Sequence, residues 1–210
     1  MPKLWNETIA SHRHAVREAV LDAAAAVITE SGLAGVSMSK IAERTGIGRA
    51  TLYKYFPDAE AILAAWHDRQ ITRHLQHLAQ VRDRATGAGS RLEAVLGAYA
   101  QILAHHPTGA IVAGLHRGNH VEHAQHRLHE FVRALVTDAA QVGEVRDDVP
   151  ADELTGYVLH AVTAAEGLDS PAAADRLVAL ILTGLAPQQG TRSPRPPSTD
   201  RASKSAAAHH

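Results

Sequence analysis

The sequence predicts an all-α protein with a small N-terminal helical unit and a larger helical body. Apolar residues recur at spacings of three and four along most of the 210 residues, which is the period of a helix with one buried face. Sustained alternation of apolar and polar residues, the pattern of a half-buried strand, is absent. Gly and Pro residues divide the periodic segments as helix ends do. With 45% hydrophobic residues, the chain can bury a substantial core.

Composition excludes several classes of site. The chain contains no cysteine, so disulfides, thiolate nucleophiles and cysteine-bound zinc are excluded. No apolar run is long enough to span a membrane, and residues 1–14 are too polar for a signal peptide. We therefore expect a cytoplasmic protein without a membrane partner.

The first predicted helix has an apolar stripe and a clear end. Val16, Val20, Ala23 and Val27 recur at helical spacing. Gly32 suits the stop of this helix, because glycine adopts the left-handed conformation that ends many helices. We expect the stripe to pack against the two short helices that follow.

Residues 37–56, reading SMSKIAERTGIGRATLYKYF, have the pattern of a helix-turn-helix. Ser37 or Ser39 can accept hydrogen bonds from the free amides that begin the first short helix. In the second, Leu52 and Phe56 lie four residues apart and can face the core. The opposite side then presents a face that a major groove can receive, made of Arg49, Ala50, Tyr53 and Lys54.

Charge is unevenly distributed along the chain. The segment 37–57 has a net charge of about +3, the sign of a phosphate-facing surface, whereas residues 58–186 have a net charge of about −6. Contact with DNA is therefore expected only in the N-terminal part. A solvated basic helix face would have the same composition, so the charge alone leaves that alternative open.

The remaining elements also read as helices. Pro57 and Asp58 precede a long helix that runs to about Arg84, and Ser90 is the predicted N-cap of the next helix, which ends near residue 105. Further helices are predicted from about residue 110, over 122–142 and over 152–165. Ser170 as N-cap and Pro171 in the first turn predict the start of a last helix.

The last two helices have a wide apolar surface. This surface includes small residues that could let a second chain pack closely: Ala161, Ala164, Ala165 and Gly184. We expect a two-fold homodimer through these helices; burial of both helices inside a monomer is the alternative. Beyond Pro187, Gln, Gly, Ser, Pro and Arg predominate, which predicts a disordered tail. The predicted domains are residues 1–57, 58–186 and 187–210.

The N-terminal part resembles the DNA-binding domain of the TetR family of bacterial transcriptional regulators. The resemblance covers roughly residues 13–66 and is carried by residues 19–24, Gly32, Ile41 and Ala42, Gly46 and Ile47, and residues 51–56. It implies a three-helix DNA-binding domain with a helix-turn-helix, joined to a larger helical ligand-binding and dimerisation domain. It also implies a homodimeric repressor that a small-molecule effector releases from a palindromic operator in double-stranded DNA.

The resemblance also implies which residues contact DNA. Arg49, Ala50 and Lys54 match positions that usually face base edges. Thr51, Tyr53 and Tyr55 match positions that contact phosphates or thymine methyls, and Ser37 or Ser39 can add a backbone contact. Packing at the surface without a DNA contact is the alternative for both tyrosines. Two departures from the family are Gly48, where the family often has a Ser or Thr cap, and Ala59, where it commonly has a phosphate-binding Lys.

Effector, metal and enzyme sites have weaker signals. Candidate effector-binding residues are Trp66, Tyr99, Leu103 and His116, with core packing as the alternative for the first three. His116, His120 and His123 could share a helical face and sense metal or pH, but no carboxylate has ligand spacing, so we predict no metal site and no cofactor. GxSxG and HExxH are absent, so we expect no enzyme. A helical enzyme or carrier without DNA binding is the alternative.

Overall fold

The structure is a computed structural model that describes residues 2–105 and 119–187. No β-strand occurs in these two ranges. The predicted helix from about residue 110, the candidate His116 and the predicted tail beyond Pro187 lie outside them. The α-helices of the described residues are α1 (Pro2–Ser31), α2 (Met38–Thr45), α3 (Arg49–Tyr55), α4 (Ala59–Arg84), α5 (Ala88–His105), α6 (Asn119–Gln141), α7 (Ala151–Val162) and α8 (Pro171–Leu185).

Helix α1 is longer than its apolar stripe. Val20, Ala23 and Val27 are buried and Val16 is half-buried, as the spacing predicts. The helix already begins at Pro2, although the polar residues before Val16 gave no sign of a buried face. It ends before Gly32, whose positive φ of 69° is one that glycine adopts without strain. A 3₁₀ turn over Leu33–Gly35 leads to α2.

Helices α2 and α3 form the predicted helix-turn-helix. Of the two candidate caps, Ser37 caps α2, because its side chain accepts from the amide of Lys40. Gly46 ends α2 with a φ of 70°, as a tight turn requires. Thr45 Oγ1 donates to the Ile41 carbonyl at 2.7 Å and accepts from the amide of Ile47. The side chain of Thr45 therefore holds the end of α2 and the turn together.

A separate hydrophobic cluster holds the N-terminal helices, and we call the unit that it organises the head: α1, α2, α3 and the start of α4. Ile41, Leu52 and Ile62 are fully buried in it, and Phe56 is 2% exposed. Each fully buried side chain of this size contributes about 1.5–3 kcal/mol relative to exposure. The cluster thus fixes the position of α3 against α1 and α4.

Helix α4 connects the head to the body, which comprises the rest of α4 and helices α5 to α8. Asp58 begins it as N-cap, with Oδ1 accepting from the amide of Ala61 at 2.7 Å. Ile62 and Trp66 pack in the head cluster, whereas Leu78 packs in the cluster of the body. The predicted domain boundary at residues 57 and 58 falls at the start of α4, while the packing of the head extends to Trp66.

Helix α5 contacts α4, α6, α7 and α8. The prediction that Ser90 caps it was wrong, because the helix begins two residues earlier, at Ala88. Gly87 precedes it with a φ of 93°. The amide of Gly89 donates to the carboxylate of Glu144, which lies beyond the end of α6. A side chain that is distant in sequence thus satisfies one of the free amides at the start of α5.

Helices α7 and α8 contact each other. Their observed ends agree with most of the helix boundaries predicted for this region. Ser170 caps α8, with Pro171 in its first turn. The segment 152–165 ends in a 3₁₀ turn from Thr163 to Gly167 rather than as one α-helix. Ala165 is fully buried inside the chain, so the prediction that it packs against a second chain was wrong. None of the helices in residues 2–105 and 119–187 is long and apolar enough to cross a membrane.

Candidate DNA-binding surface

Helix α3 has an inner and an outer side. Leu52 and Phe56 face inward and are almost completely buried. The outer side presents exposed residues that include all of the predicted base-contacting positions, and Tyr53 is 54% exposed. Tyr55 is half-buried. The sequence-predicted residues that the structure places together on this helix are Arg49, Ala50, Thr51, Tyr53, Lys54 and Tyr55.

The two serine candidates differ in their local roles. Ser37 is half-buried, and its Oγ accepts from the amide of Lys40 at 3.3 Å. Its hydroxyl proton remains able to donate to a phosphate. Ser39 is exposed in the first turn of α2. Both serines lie at the start of α2, Ser37 as its N-cap and Ser39 in its first turn, and not on α3.

A basic cleft of about 580 Å³ opens between α1 and α3, and we call it the α1–α3 cleft. One wall of the cleft belongs to α1 and is formed by Arg13, His14 and Arg17. The other wall belongs to α3 and is formed by Thr51, Lys54 and Tyr55. Its six lining residues include no carboxylate. The guanidinium of Arg17 lies 4.7 Å from the centre of the Phe56 ring, a favourable cation–π arrangement. The arginines of α1 therefore extend the basic surface of α3.

A second cleft of about 310 Å³ lies between α1 and α2, and we call it the α1–α2 cleft. Its charged residues are Glu30, Lys40, Glu43 and Arg44. Arg44 donates to both carboxylate oxygens of Glu30, at 2.6 and 2.5 Å. This hydrogen bond lowers the pKa of Glu30 and raises that of Arg44. The positive charge of Arg44, which contributes to the net charge of residues 37–57, is largely neutralised here.

The sequence-based charge count missed the contribution of α1. It began at Ser37 and so left out Arg13 and Arg17. These arginines lie four residues apart and therefore share a helix face. The spacing is visible in the sequence. The two arginines share a face only if residue 13 is already helical, and the sequence did not indicate that α1 begins as early as Pro2.

The start of α4 lacks the lysine that the family commonly has there. Ala59 is half-buried against the head cluster. The carboxylate of Asp58 caps the helix, and Glu60 is exposed beside it. This end of α4 therefore offers two acidic side chains and no basic one to an approaching phosphate.

The candidate effector-binding residues fall into two separate clusters. Trp66 packs in the head cluster, whereas Leu103 and the half-buried Tyr99 belong to the cluster of the body. Burial, with a smaller contribution from Glu166, raises the pKa of Tyr99 to about 12, so its hydroxyl stays protonated at neutral pH. The indole Nε1 of Trp66 is buried and has no hydrogen-bond acceptor among the described residues. Tyr99 and Leu103 are thus brought together, and Trp66 is not.

Histidines do not form a metal site in the part of the chain that the structure describes. No group of three or more His, Cys, Asp or Glu residues there is placed to hold a metal ion. His67 is buried on α4, and its burial lowers its pKa. Burial therefore favours the neutral form of His67.

Two family models match the chain. The one described as "Bacterial regulatory proteins, tetR family" matches residues 20–66, which contain most of the head. The one described as "Transcriptional regulator SbtR-like, C-terminal domain" matches residues 98–187. The matches thus fall on the two parts of the molecule that have separate hydrophobic clusters.

Individual proteins are similar over most of the chain. The fatty acid metabolism regulator protein of Bacillus subtilis (strain 168) is 28% identical over 137 residues, covering 61% of this chain and 70% of that protein. The crystal structure of the transcriptional regulator FadR from Bacillus subtilis in complex with stearoyl-CoA has a TM-score of 0.65 and 20% identity, covering 80% of this chain and 98% of that chain. The crystal structure of AibR in complex with isovaleryl coenzyme A and operator DNA has a TM-score of 0.59 and 18% identity, covering 80% and 97%. These structures share the fold of this chain.

Proposed function

Since the chain belongs to the TetR family of bacterial transcriptional regulators, we propose that it is a homodimeric repressor that a small-molecule effector releases from a palindromic operator. The observation that carries this proposal is the two-sided helix α3. Leu52 and Phe56 anchor it to the head, and its exposed side presents Arg49, Ala50 and Lys54. A short helix held in this way can enter a major groove. We place the protein in the cytoplasm, where the operator DNA lies.

Each residue of α3 has a role that suits its chemistry. Arg49 can donate two hydrogen bonds to guanine, and Lys54 can donate to an acceptor on a base edge or to a phosphate. Ala50 is small enough to let the helix approach or to contact a thymine methyl. The hydroxyl groups that can donate to phosphates belong to Thr51, Tyr53, Tyr55, Ser37 and Ser39.

A dimer would place two heads on the two halves of the operator. Two large apolar side chains of α7 and α8 are exposed, with Leu180 at 68% and Tyr157 at 47%. Gly184 lies beside Tyr157, so closely that a Cβ there would come within 2.8 Å of the tyrosine Oη. Burying this apolar surface against a two-fold related copy would stabilise a dimer. Ala161, Ala164 and Gly184 remain the small residues proposed for this interface.

For the effector to release the protein from its operator, effector binding in the body must move the head. Arg69 of α4 forms ion pairs with Glu18 at 2.9 Å and Asp22 at 2.8 Å, both in α1. The Arg69 side chain is only 10% exposed, so water screens these pairs less than it screens pairs at the surface. Helix α4 and the head are therefore coupled by charge as well as by packing. An effector that displaces α4 would change the separation of the two recognition helices.

The proposed effector site includes Tyr99 and Leu103 of the body. His116, outside the described residues, remains a candidate from the sequence. Trp66 is proposed as a residue through which α4 senses the effector, because its indole donor is unsatisfied. Acyl-CoA thioesters are the first compounds to test, because two of the similar structures are complexes with stearoyl-CoA and isovaleryl coenzyme A. The effector of this chain is to be identified by that test.

The experiment selects operator sequences from a random duplex library and then measures affinity by fluorescence anisotropy. We expect an enriched palindrome, binding by a dimer in analytical ultracentrifugation, and weaker binding when the correct acyl-CoA is added. A wild-type protein that enriches no sequence and binds no duplex at about 50 mM salt would overturn the proposal. It would favour a helical enzyme or carrier that kept the fold.

A further inference from the structure

We propose that the α1–α3 cleft is a binding site for a phosphate of the DNA backbone, formed by Arg13 and Arg17 together with Lys54. This inference rests on the proposed function and adds a contact from α1, outside the helix-turn-helix. It assigns a role to basic residues that the helix-turn-helix pattern does not include.

The walls of the cleft bring two helix faces together. Arg13 and Arg17 lie one turn apart on α1, while Thr51, Lys54 and Tyr55 occupy one flank of α3. The cleft is open to solvent and, at about 580 Å³, can admit a phosphodiester with its neighbouring sugars. Three permanent cations and two hydroxyl donors therefore surround one concave space.

These cations are available for an anion. Within residues 2–105 and 119–187, no carboxylate forms an ion pair with Arg13, Arg17 or Lys54. The contact of Arg17 with the Phe56 ring orients its guanidinium through the ring face, which leaves its N–H groups free to donate to phosphate. Arg44, by contrast, is committed to Glu30. The local field in this cleft thus favours a negatively charged ligand.

The position of the cleft favours a phosphate of DNA over a free anion. Lys54 and Thr51 line the cleft and belong to the same helix as Arg49 and Ala50. When the outer face of α3 lies in a major groove, its flank faces the strand that borders the groove. A phosphate there would reach the two arginines of α1. This contact would offset the phosphate contact that Ala59 cannot make.

The test compares the salt dependence of operator binding between the wild type and the double variant Arg13→Gln, Arg17→Gln. Each lost phosphate contact reduces the slope of log K against log salt by about 0.9. Because a dimer would lose one phosphate at each of its two clefts, the slope should fall by up to about 2. Affinity near 0.15 M salt should fall roughly 10-fold to 100-fold. The ratio of affinities for operator and scrambled duplex should stay within about twofold, because phosphate contacts do not carry base preference.

Two controls separate charge from structure. The variant Arg73→Gln, Arg84→Gln removes the same charge from exposed positions of α4 and should leave the slope nearly unchanged. Arg17→Lys keeps the charge and should retain most of the slope that Arg17→Gln loses. Circular dichroism and thermal melting of each variant show whether the head remains folded.

The outcomes distinguish this inference from the proposed function. If the wild type binds its operator and the double variant has the same slope, the α1–α3 cleft makes no backbone contact and the inference is wrong, while the proposed function stands. If inorganic phosphate competes at constant ionic strength but the slope is unchanged, the cleft is a free-anion site and the inference is also wrong. A wild type that binds no DNA overturns the proposed function itself.

Discussion

The two clefts along α1 differ in whether carboxylates of the protein lie beside their cations. In the α1–α3 cleft, Arg13, Arg17 and Lys54 face one another with no carboxylate in the lining. In the α1–α2 cleft, Lys40 and Arg44 stand beside Glu30 and Glu43, and Arg44 is hydrogen-bonded to Glu30. Both clefts are basic in a simple count of arginine and lysine. The first cleft therefore presents its cations without a neighbouring carboxylate, whereas Arg44 of the second is committed to Glu30.

The difference shows that the net charge of a segment is a poor guide to its binding surface. The count over residues 37–57 included Arg44, whose partner Glu30 lies outside that window. It omitted Arg13 and Arg17, which reach α3 from α1. The location of free positive charge depends on tertiary contacts, and the following variants test whether the contrast between the clefts holds.

The largest effect is expected from Leu52→Ala, because Leu52 is fully buried and anchors the α3 wall of the α1–α3 cleft. Truncating such a leucine costs about 2–5 kcal/mol of the free energy of unfolding. Urea unfolding measured by circular dichroism gives this value. DNA binding should weaken at every salt concentration. A loss below about 0.5 kcal/mol would be typical of a surface substitution and would mean that α3 is not held as described.

Arg49→Ala tests whether the outer face of α3 provides base preference, while the α1–α3 cleft beside it provides affinity for any sequence. Operator affinity should fall by about 1–3 kcal/mol, with relaxed base preference. Tyr55→Phe, which removes one hydroxyl from the cleft lining, should weaken all sequences more evenly. Anisotropy titrations with operator and single-base variants measure both effects. If both variants bind as the wild type does, α3 is not the recognition helix.

Lys54→Gln and Lys40→Gln form a matched pair, one in each cleft. Lys54→Gln should reduce the slope of log K against log salt by about 1 for each protomer of the dimer, as expected for one phosphate contact. Lys40→Gln should reduce it less, because Lys40 lies near Glu30 and Glu43. Equal slopes for the two variants would show that the clefts do not differ in their use of lysine.

The smallest effect is expected from Glu30→Gln, which removes the partner of Arg44. The hydrogen bond from Arg44 holds the pKa of Glu30 below its usual 4.5, so this pair stabilises the fold above the unfolded-state pKa. The stabilisation is lost as the pH falls through the lower, folded-state pKa. Between about pH 5 and about pH 3, the melting temperature should therefore fall less steeply in the variant than in the wild type.

Glu30→Gln also bears on DNA binding. The variant frees Arg44 and should modestly strengthen binding to non-specific duplex, since a positive charge becomes available to phosphates. Parallel melting curves and unchanged DNA affinity would show that the ion pair does not neutralise Arg44. The contrast between the clefts would then have to be abandoned.

Local chemistry explains which parts of the fold the sequence predicted. Ser37, Gly46 and Ser170 act on neighbouring backbone groups, so their roles as caps and turns follow from nearby residues alone. The burial of Leu52 and Phe56 follows from their helical spacing. The exposed positions on α3 follow from the same periodicity.

Long-range contacts explain what the sequence did not predict. The amide of Gly89 is satisfied by Glu144, a residue 55 positions away, and no local pattern indicates that partner. Ala165 suited a dimer surface by its size, yet the packing of α5 against the turn after α7 buries it. The α1–α3 cleft depends on two helices that are separated in the chain, so its residues became a group only in the folded structure.

In the proposed release, the ion pairs of Arg69 would set the length of the arm through which α4 moves α3. Glu18 and Asp22 hold α1 to α4 as far along as Arg69. The segment of α4 from Ala59 to Arg69 therefore belongs to the moving arm, a length of roughly 16 Å at 1.5 Å per residue. Any fulcrum must lie beyond Arg69, on the side of the body. A tilt of about 10° there would displace the start of α4, and α3 with it, by roughly 3 Å, a large misfit for a helix seated in a groove.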